Sequence, residues 1–326
     1  MTDMTGDRRR GRRLDGATAL VTGSSRGLGL LLAEELARRG CRLLLCARDP
    51  AELAVAERRV AALGVPVRTL ACDLTEERTP ERLLGTAQEL YGGLDLLVNN
   101  AGTIQVAPLE TLAEEDFRYA MELMYFAPLR LTLAALPLLR ASGRGTVVNI
   151  SSLGGRIAPP HLLPYAGAKF ALTGLSEGLR AELAPQGVSV TTVFPGTMRT
   201  GSHHAAEFGG QARREYAWFA AGAALPLVSA DPRRAARAIV RAADRRRPEL
   251  AFSPMAKVVT RLHGVAPATT ARMLGLTARV LPGPGERPER HVPGHAPART
   301  QPRALRRLTA LGESAARHLN QPGGAA

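Results

Sequence analysis

The sequence has 326 residues, 45% of them hydrophobic but only 4% aromatic, and carries a formal net charge of +14. That length and apolar fraction suit one large α/β domain whose core is mostly Leu, Val and Ala. No apolar run reaches the roughly 18–20 residues of a membrane-spanning helix, and no apolar stretch follows the first arginines as a secretory leader requires. Cys41, Cys46 and Cys72 are odd in number and lack metal-ligand spacing, which argues against a disulfide framework and a metal site; a reduced, cytoplasmic protein is expected.

Residues 1–13 hold five Arg against Asp3 and Asp7 and read as a disordered basic arm. From Ala17 the pattern is strand, turn, helix, repeated. Strands are expected at 17–22, 42–47, 65–72, 94–98, 146–150 and 188–194. Helices are expected at 27–39, 50–63, 76–91, about 114–140 and 164–184. This alternation predicts right-handed βαβ units in a doubly wound, Rossmann-type parallel sheet over residues 14–252. Residues 201–224 break the alternation, being Gly-rich and dotted with aromatics, and read as a mobile lid. A helix at 231–244, N-capped by Asp231, and a last strand at 250–252 complete the domain. Beyond it come a helical extension (253–281) and a Pro-rich basic tail (282–326), with a short helix expected at 304–319. Residues 251–326 hold ten Arg and Lys257 against three Glu, a balance of +8.

Thr22-Gly23-Ser24-Ser25-Arg26-Gly27-Leu28-Gly29 joins the first strand to the first helix. Glycines there let backbone turn tightly and approach a pyrophosphate, whose charge the helix N-terminus favours. The second strand ends in Ala47 and Arg48 rather than in an acid that would accept from a ribose 2′-hydroxyl. With Arg26 nearby, two guanidiniums suit a 2′-phosphate, so NADP(H) is the expected cofactor. Asp73 follows the third strand, suited either to an adenine amino group or to a helix cap. Asn99-Asn100-Ala101-Gly102 and Pro195-Gly196-Thr197-Met198-Arg199-Thr200 follow later strands. All of these motifs fall at the carboxyl edge, where open α/β sheets bind ligands.

Ser151-Ser152 and Tyr165-x-x-x-Lys169 carry the reactive chemistry. Tyr and Lys four apart lie on one helix face. Of 43 basic side chains only Lys169 and Lys257 are lysines, which suggests that position 169 needs a compact ammonium with an adjustable pKa. An ammonium beside the phenol is expected to lower the Tyr165 pKa and make it a general acid or base.

Taken together, Thr-Gly-x-x-x-Gly-x-Gly, Asn-Asn-Ala-Gly, Tyr-x-x-x-Lys and Pro-Gly, in that order, resemble the short-chain dehydrogenase/reductase family across residues 14–252. The resemblance implies that Tyr165 is the acid/base, that Lys169 lowers its pKa and holds the nicotinamide ribose, and that Ser152, thirteen residues before the tyrosine, polarises the substrate oxygen. It also implies that Asn100 lines the cofactor cleft and that Thr200 meets the nicotinamide carboxamide. A homo-oligomer through two long helices is implied as well. One departure stands out: where the family carries an Asn on the long helix, counted from Pro137, this chain has Met124, whose thioether cannot donate a hydrogen bond.

The expected activity is an NADP(H)-dependent interconversion of an alcohol with a ketone or aldehyde. Trp218, Phe219, Leu225 and His161-Leu162-Leu163 point to an apolar substrate. The rival is a catalytically weak NADP-binding regulator or scaffold, favoured by Met124 and by the tails. His203-His204 lack ligand partners at metal spacing, so no metal is expected. No nucleic-acid module is recognisable. The basic, Ala/Leu-rich C-terminal tail suits a peripheral contact with anionic lipid.

Overall fold

The structure, a computed structural model, describes residues 14–224, 229–299, 301–302 and 316–321. The expected basic arm, Leu225 and most of the helix expected at 304–319 lie outside the described residues. In chain order the elements are β1 (Thr18–Thr22), α1 (Gly27–Ala37), β2 (Arg42–Ala47), α2 (Pro50–Ala61), β3 (Val67–Ala71), α3 (Thr79–Tyr91), β4 (Leu96–Asn99) and β5 (Gln105–Val106). Then come α4 (Glu114–Met121), a π-helical turn (Glu122–Phe126), α5 (Ala127–Ala141), β6 (Thr146–Ile150), α6 (Leu163–Leu183) and β7 (Ser189–Val193). β8 (Glu207–Gly210), α7 (Ala212–Ala224), α8 (Pro232–Asp244), β9 (Glu249–Leu250), α9 (Pro254–Val265), α10 (Pro267–Ala278), β10 (Glu289–Pro293) and α11 (His295–Arg299) follow.

Seven parallel strands form one sheet in the order β3-β2-β1-β4-β6-β7-β9. The central strands β2 and β4 read as nearly continuous apolar runs, as strands covered by helices on both faces do. Side chains alternate across the sheet. Leu20 is in register with Leu44 and Leu97, and Leu97 with Val147; all four pack beneath α3 and α5 with Leu83 and Leu139. Their chain neighbours Val21, Leu43, Leu45 and Val98 pack on the other side, with Leu31 of α1 and Ile239 of α8. The run Glu114–Ala141, through α4, the π-helical turn and α5, is long and apolar enough to cross a membrane by length and composition alone. Its apolar positions Leu131, Ala135 and Leu139 are instead spent on the sheet. Local chemistry starts the helices: Asp49 accepts from Ala51 N–H (2.8 Å) and Glu52 N–H (3.0 Å) ahead of Pro50 at the head of α2. Asp231 does the same for α8 through Arg234 N–H. Pro267 separates the expected helical extension into α9 and α10.

Two sequence expectations change. The stretch 201–224, expected as a lid, contains regular structure. It contributes β8 and α7 to a second sheet, β10-β8-β5, whose core holds Val106, Phe208, Ala212, Tyr216 and Ala220. Ala212, Tyr216 and Ala220 are four apart and share a helix face, a periodicity masked by the surrounding glycines and charges. The Pro-rich stretch after 282 is likewise more than a linker, because β10 pairs antiparallel with β8. The two strands are far apart in the chain, so no local signal announces the pairing.

Candidate active site

The loops after β1, β2, β3, β4, β6 and β7 open into one cavity of about 1230 Å³ at the carboxyl edge of the sheet. The residues drawn from the motifs all line it: Gly23, Ser25, Arg26, Gly27, Leu28, Gly29, Arg48, Asp73, Asn100, Ala101, Gly102, Ser152, Tyr165, Lys169, Pro195, Gly196 and Thr200. His161 does not. Its ring meets Glu215 (3.0 Å), which also accepts from the Trp218 indole (2.7 Å), so both aromatics are tied into the second sheet's packing rather than aimed at a substrate. Phe219 does line the cavity.

The glycine turn is held by β4. Asn100 Nδ2 donates to Thr22 O (2.9 Å) and Gly23 O (3.1 Å), while the Asn100 and Ala101 amides donate to Thr22 Oγ1 (2.9 and 3.1 Å). The fit leaves no room for side chains: a Cβ on Gly23 would lie 2.8 Å from Ala101 Cα, and one on Gly29 would lie 2.6 Å from Asn100 Nδ2. Gly23 and Gly27 have φ of +61° and +57°, where a Cβ adds strain. Arg26, at the N-cap of α1, makes no side-chain cap, and the first turn of α1 has no acid. A tight turn with glycine at its points of close approach, ending on a helix N-terminus without a side-chain cap, fits a dinucleotide pyrophosphate.

At the far end of the cavity the two expected guanidiniums differ. Arg48 is exposed and donates to the Tyr119 hydroxyl (3.1 Å), a neutral partner. Arg26 is instead ion-paired with Glu52 (2.8 Å), whose other oxygen accepts from Ser25 Oγ (2.8 Å). Sequence reasoning missed Glu52 and Tyr119, since neither falls in a motif. Asp73 accepts from the amide and hydroxyl of Thr75 (2.9 and 2.8 Å), both at Oδ1, so it braces the turn at Thr75 and does not cap α3, whose N-cap is Arg78.

Ser152 leaves β6 with extended backbone, and its Oγ accepts from Gly154 N–H (3.0 Å). Tyr165 and Lys169 stand one turn apart near the start of α6. Lys169 is 4% exposed, and its Nζ donates to Ile150 O (2.8 Å). The largest influence on the tyrosine is its own burial. Burial raises the Tyr165 pKa and the hydrogen bond with Ser152 opposes it, while Lys169 Nζ lies 5.8 Å from the ring centroid. Burial also lowers Lys169 itself, to about 8. Met124, fully buried in the π-helical turn, packs with Ala168 and Tyr165 beside Lys169. Its sulfur would be 3.2 Å from a Cβ added at Gly102, with Lys169 Nζ at 3.6 Å from the same point. An apolar group therefore occupies the position next to the ammonium. Behind the cavity runs a buried polar chain: Asn99 Nδ2 donates to Asn149 Oδ1 (2.8 Å) and Asn149 Nδ2 to Ser176 Oγ (2.8 Å). Asn99 thus serves packing between strands, and Asn100 serves the turn.

The outer wall comes from the second sheet. Arg290 and His291 of β10 line the cavity; Arg290 pairs with Asp116 (3.4 Å), and His291 meets Asp116 (3.2 Å) and Glu207 (2.7 Å). The tail thus contributes to the cavity wall beyond residue 252, the expected end of the domain. No group of His, Cys, Asp and Glu suited to a metal occurs among the described residues.

The sequence profile of the short chain dehydrogenases matches residues 17–208, and the chain belongs to that family. A tropinone reductase homologue of Arabidopsis thaliana is 37% identical over 188 residues, covering 57% of this chain and 70% of the relative. An uncharacterized oxidoreductase of Bacillus subtilis is 37% identical over 184 residues, 56% of this chain and 65% of the relative. Among solved structures, a short-chain dehydrogenase from Streptomyces avermitilis is 33% identical with a TM-score of 0.69, covering 81% of this chain and 98% of that one. L-sorbose reductase from Gluconobacter frateurii, complexed with NADPH and L-sorbose, is 27% identical with a TM-score of 0.64, over 71% and 91% of the two chains. The family is one of oxidoreductases that bind a nicotinamide cofactor and act on small molecules.

The buried lysine makes one prediction independent of turnover. Its folded pKa, about 8, lies below the unfolded value of roughly 10.4, so between these pH values the unfolded chain binds more protons and this group's contribution to stability rises with pH. Below pH 8 the charged ammonium is buried at full cost. Lys169→Met should therefore be more stable than the parent at pH 7, with an advantage that shrinks as pH rises from about 8 to roughly 10.4. Urea denaturation of both proteins at several pH values reads this, and a pH-independent difference would contradict it.

Proposed function

We propose that the chain is an NADP(H)-dependent oxidoreductase that interconverts an alcohol with a ketone or aldehyde on an apolar substrate. The observation that carries this is the meeting of Ser152, Tyr165 and Lys169 with the glycine turn in one cavity. When bound, the nicotinamide supplies a hydride to the carbonyl carbon or takes one from the carbinol. Ser152 Oγ hydrogen-bonds the reacting oxygen and Tyr165 delivers its phenolic proton to it in reduction, taking it back in oxidation. Lys169, with a pKa of about 8, is mostly protonated at neutral pH and holds positive charge near the phenol as the proton leaves. Gly23–Gly29 carry the pyrophosphate, with Asn100 bracing the turn. Ile104, Leu153, Leu162 and Phe219 form an apolar wall for the substrate.

The choice of NADP(H) is supported by Arg48, by the lack of an acid at Ala47, and by solved relatives complexed with NADP and NADPH. Because Glu52 engages Arg26, Arg48 is the principal 2′-phosphate contact in this reading. Homo-oligomers are supported by apolar side chains left exposed on the two long helical segments, Phe126 and Leu133 on one and Leu163 and Phe170 on the other. A cytoplasmic location is in keeping with three free, buried cysteines. The pair of helices α9 and α10 leaves Val258, Leu262, Val265, Met273 and Leu276 exposed. Its charged residues and those just after it are all basic (Lys257, Arg261, Arg272 and Arg279), with no acid between residues 251 and 285. We assign that face to an anionic lipid surface, which flotation of the full chain with anionic but not neutral vesicles at low salt tests. A second reading, a catalytically weak cofactor-binding protein, is favoured by Met124 at the place of a hydrogen-bonding side chain.

Tyr165→Phe should keep NADPH binding while turnover on a panel of apolar ketones falls by about 10²–10⁴-fold. Unchanged turnover contradicts the acid/base role, and no turnover by the parent with intact NADPH binding favours the second reading. Arg48→Ala should weaken NADPH by about ten-fold or more and leave NADH almost unaffected, given roughly 1.5–3 kcal/mol for a charge-assisted contact. Equal loss for both cofactors overturns the 2′-phosphate assignment.

A further inference from the structure

The cofactor cleft already receives a peptide, and the peptide is the chain's own C-terminal segment. Residues 316–321 lie across the head of α1. Gly27 N–H, an amide at the helix N-terminus, donates to Leu319 O (2.9 Å). Asn320 Nδ2 donates to Ser25 O (3.0 Å) and Glu52 O (3.3 Å), and Gln321 Nε2 donates to Thr200 O (3.1 Å). Arg59 donates to His318 O on the outer side. Leu319 is 3% exposed and packs into the same apolar cluster as Leu28, while Ala316 sits against Gly201 so closely that a Cβ there would lie 2.5 Å from its own. Asn320 has φ +57°, a left-handed conformation that Asn adopts more readily than other side chains. The segment is therefore shaped for this seat rather than laid over it.

We propose that the head of α1 is a binding site shared by two ligands, the dinucleotide's pyrophosphate and residues 316–321, which exclude each other. The proposal rests on the cofactor reading above. Both ligands use the same donor: the amide of Gly27 serves either the Leu319 carbonyl or an anionic oxygen, and Gln321 fills the space between Gly27 and Thr200 that the cofactor would cross. The two differ in strength. A carbonyl is a neutral acceptor, whereas a pyrophosphate meets the helix N-terminus with full charge. The peptide compensates by being tethered, which holds its local concentration high. Its seat is also imperfect, because Gln321 Oε1 is buried without a partner among the described residues. A tethered and imperfectly satisfied occupant is displaceable, and it reduces apparent cofactor affinity by the fraction of chains in which the cleft is open.

The test uses the full chain and needs no turnover. NADPH and NADH are titrated calorimetrically into the parent, into Asn320→Ala and into Leu319→Asp, the second of which puts a charge where the leucine is buried. Amide hydrogen exchange of residues 316–321 is followed with and without saturating NADPH. Loss of the two Asn320 hydrogen bonds should tighten NADPH by about three- to ten-fold. NADPH should speed exchange in 316–321 while slowing it in residues 23–29. Tightening in either variant together with faster exchange supports the proposal. Unchanged affinity in both variants, or slower exchange of 316–321 on adding NADPH, overturns it and makes the segment a clamp or a bystander, with the cofactor reading intact. If the parent and both variants bind neither nucleotide, the cofactor reading falls and this proposal falls with it.

Discussion

The site depends on how closely the end of β4 approaches the turn after β1. Asn100 commits its side-chain amide to two carbonyls of that turn, and Thr22 Oγ1 takes two backbone amides in return. Only glycine fits at positions 23 and 29 because the backbones are already in contact. This clamp sets where α1 begins, and so where its first amides point. It also joins β1 to the strand beside β6, from which Ser152 and the carbonyl that holds Lys169 emerge. One tight contact thus connects the glycine turn with the part of the cleft where Ser152, Tyr165 and Lys169 meet.

The clamp makes clear why so much of the domain was legible in the sequence. Apolar runs bounded by glycine turns specify a parallel sheet without long-range information, and the residues at strand ends converge because parallel strands present all their carboxyl ends on one edge. Every strand expected from 17 to 194 is present within a few residues of its expected bounds, and all the site residues drawn from motifs line the cavity. What the motifs did not carry was how polar groups are shared. Asn99 and Asn100 are neighbours in sequence and serve different faces, one bonded to Asn149 and the other to the turn. Arg26 and Arg48 read as equivalent cations until Glu52 engages one of them. Tyr165 and Lys169 were legible as neighbours on one helix face, but not that burial would push the phenol up and the ammonium down.

The C-terminal segment was misread for a different reason. Its contributions depend on contacts with residues far away in the chain. β10 is a short, charged and Pro-flanked stretch that becomes a strand because β8 offers it an edge, and of the described residues of the expected last helix 316–318 are helical, but nothing local announces that 319–321 meet the head of α1. Such segments lack hydrophobic periodicity, which is the signal that reveals strands and helices locally. The stretch expected as a Pro-rich basic tail supplies Arg290 and His291 to the cavity wall and residues 319–321 to the head of α1.

Transfer of an isotope from cofactor to product tests the central claim most directly. With NADPH carrying deuterium at nicotinamide C4 on the transferred face and an apolar ketone that the protein turns over, mass spectrometry of the alcohol should find the label on the carbinol carbon, with the hydroxyl proton drawn from solvent through Tyr165. Alcohol formed without the label would contradict direct hydride transfer in this cleft. So would NADPH oxidation without labelled alcohol, and the assignment of the cavity as a dehydrogenase site would have to be withdrawn.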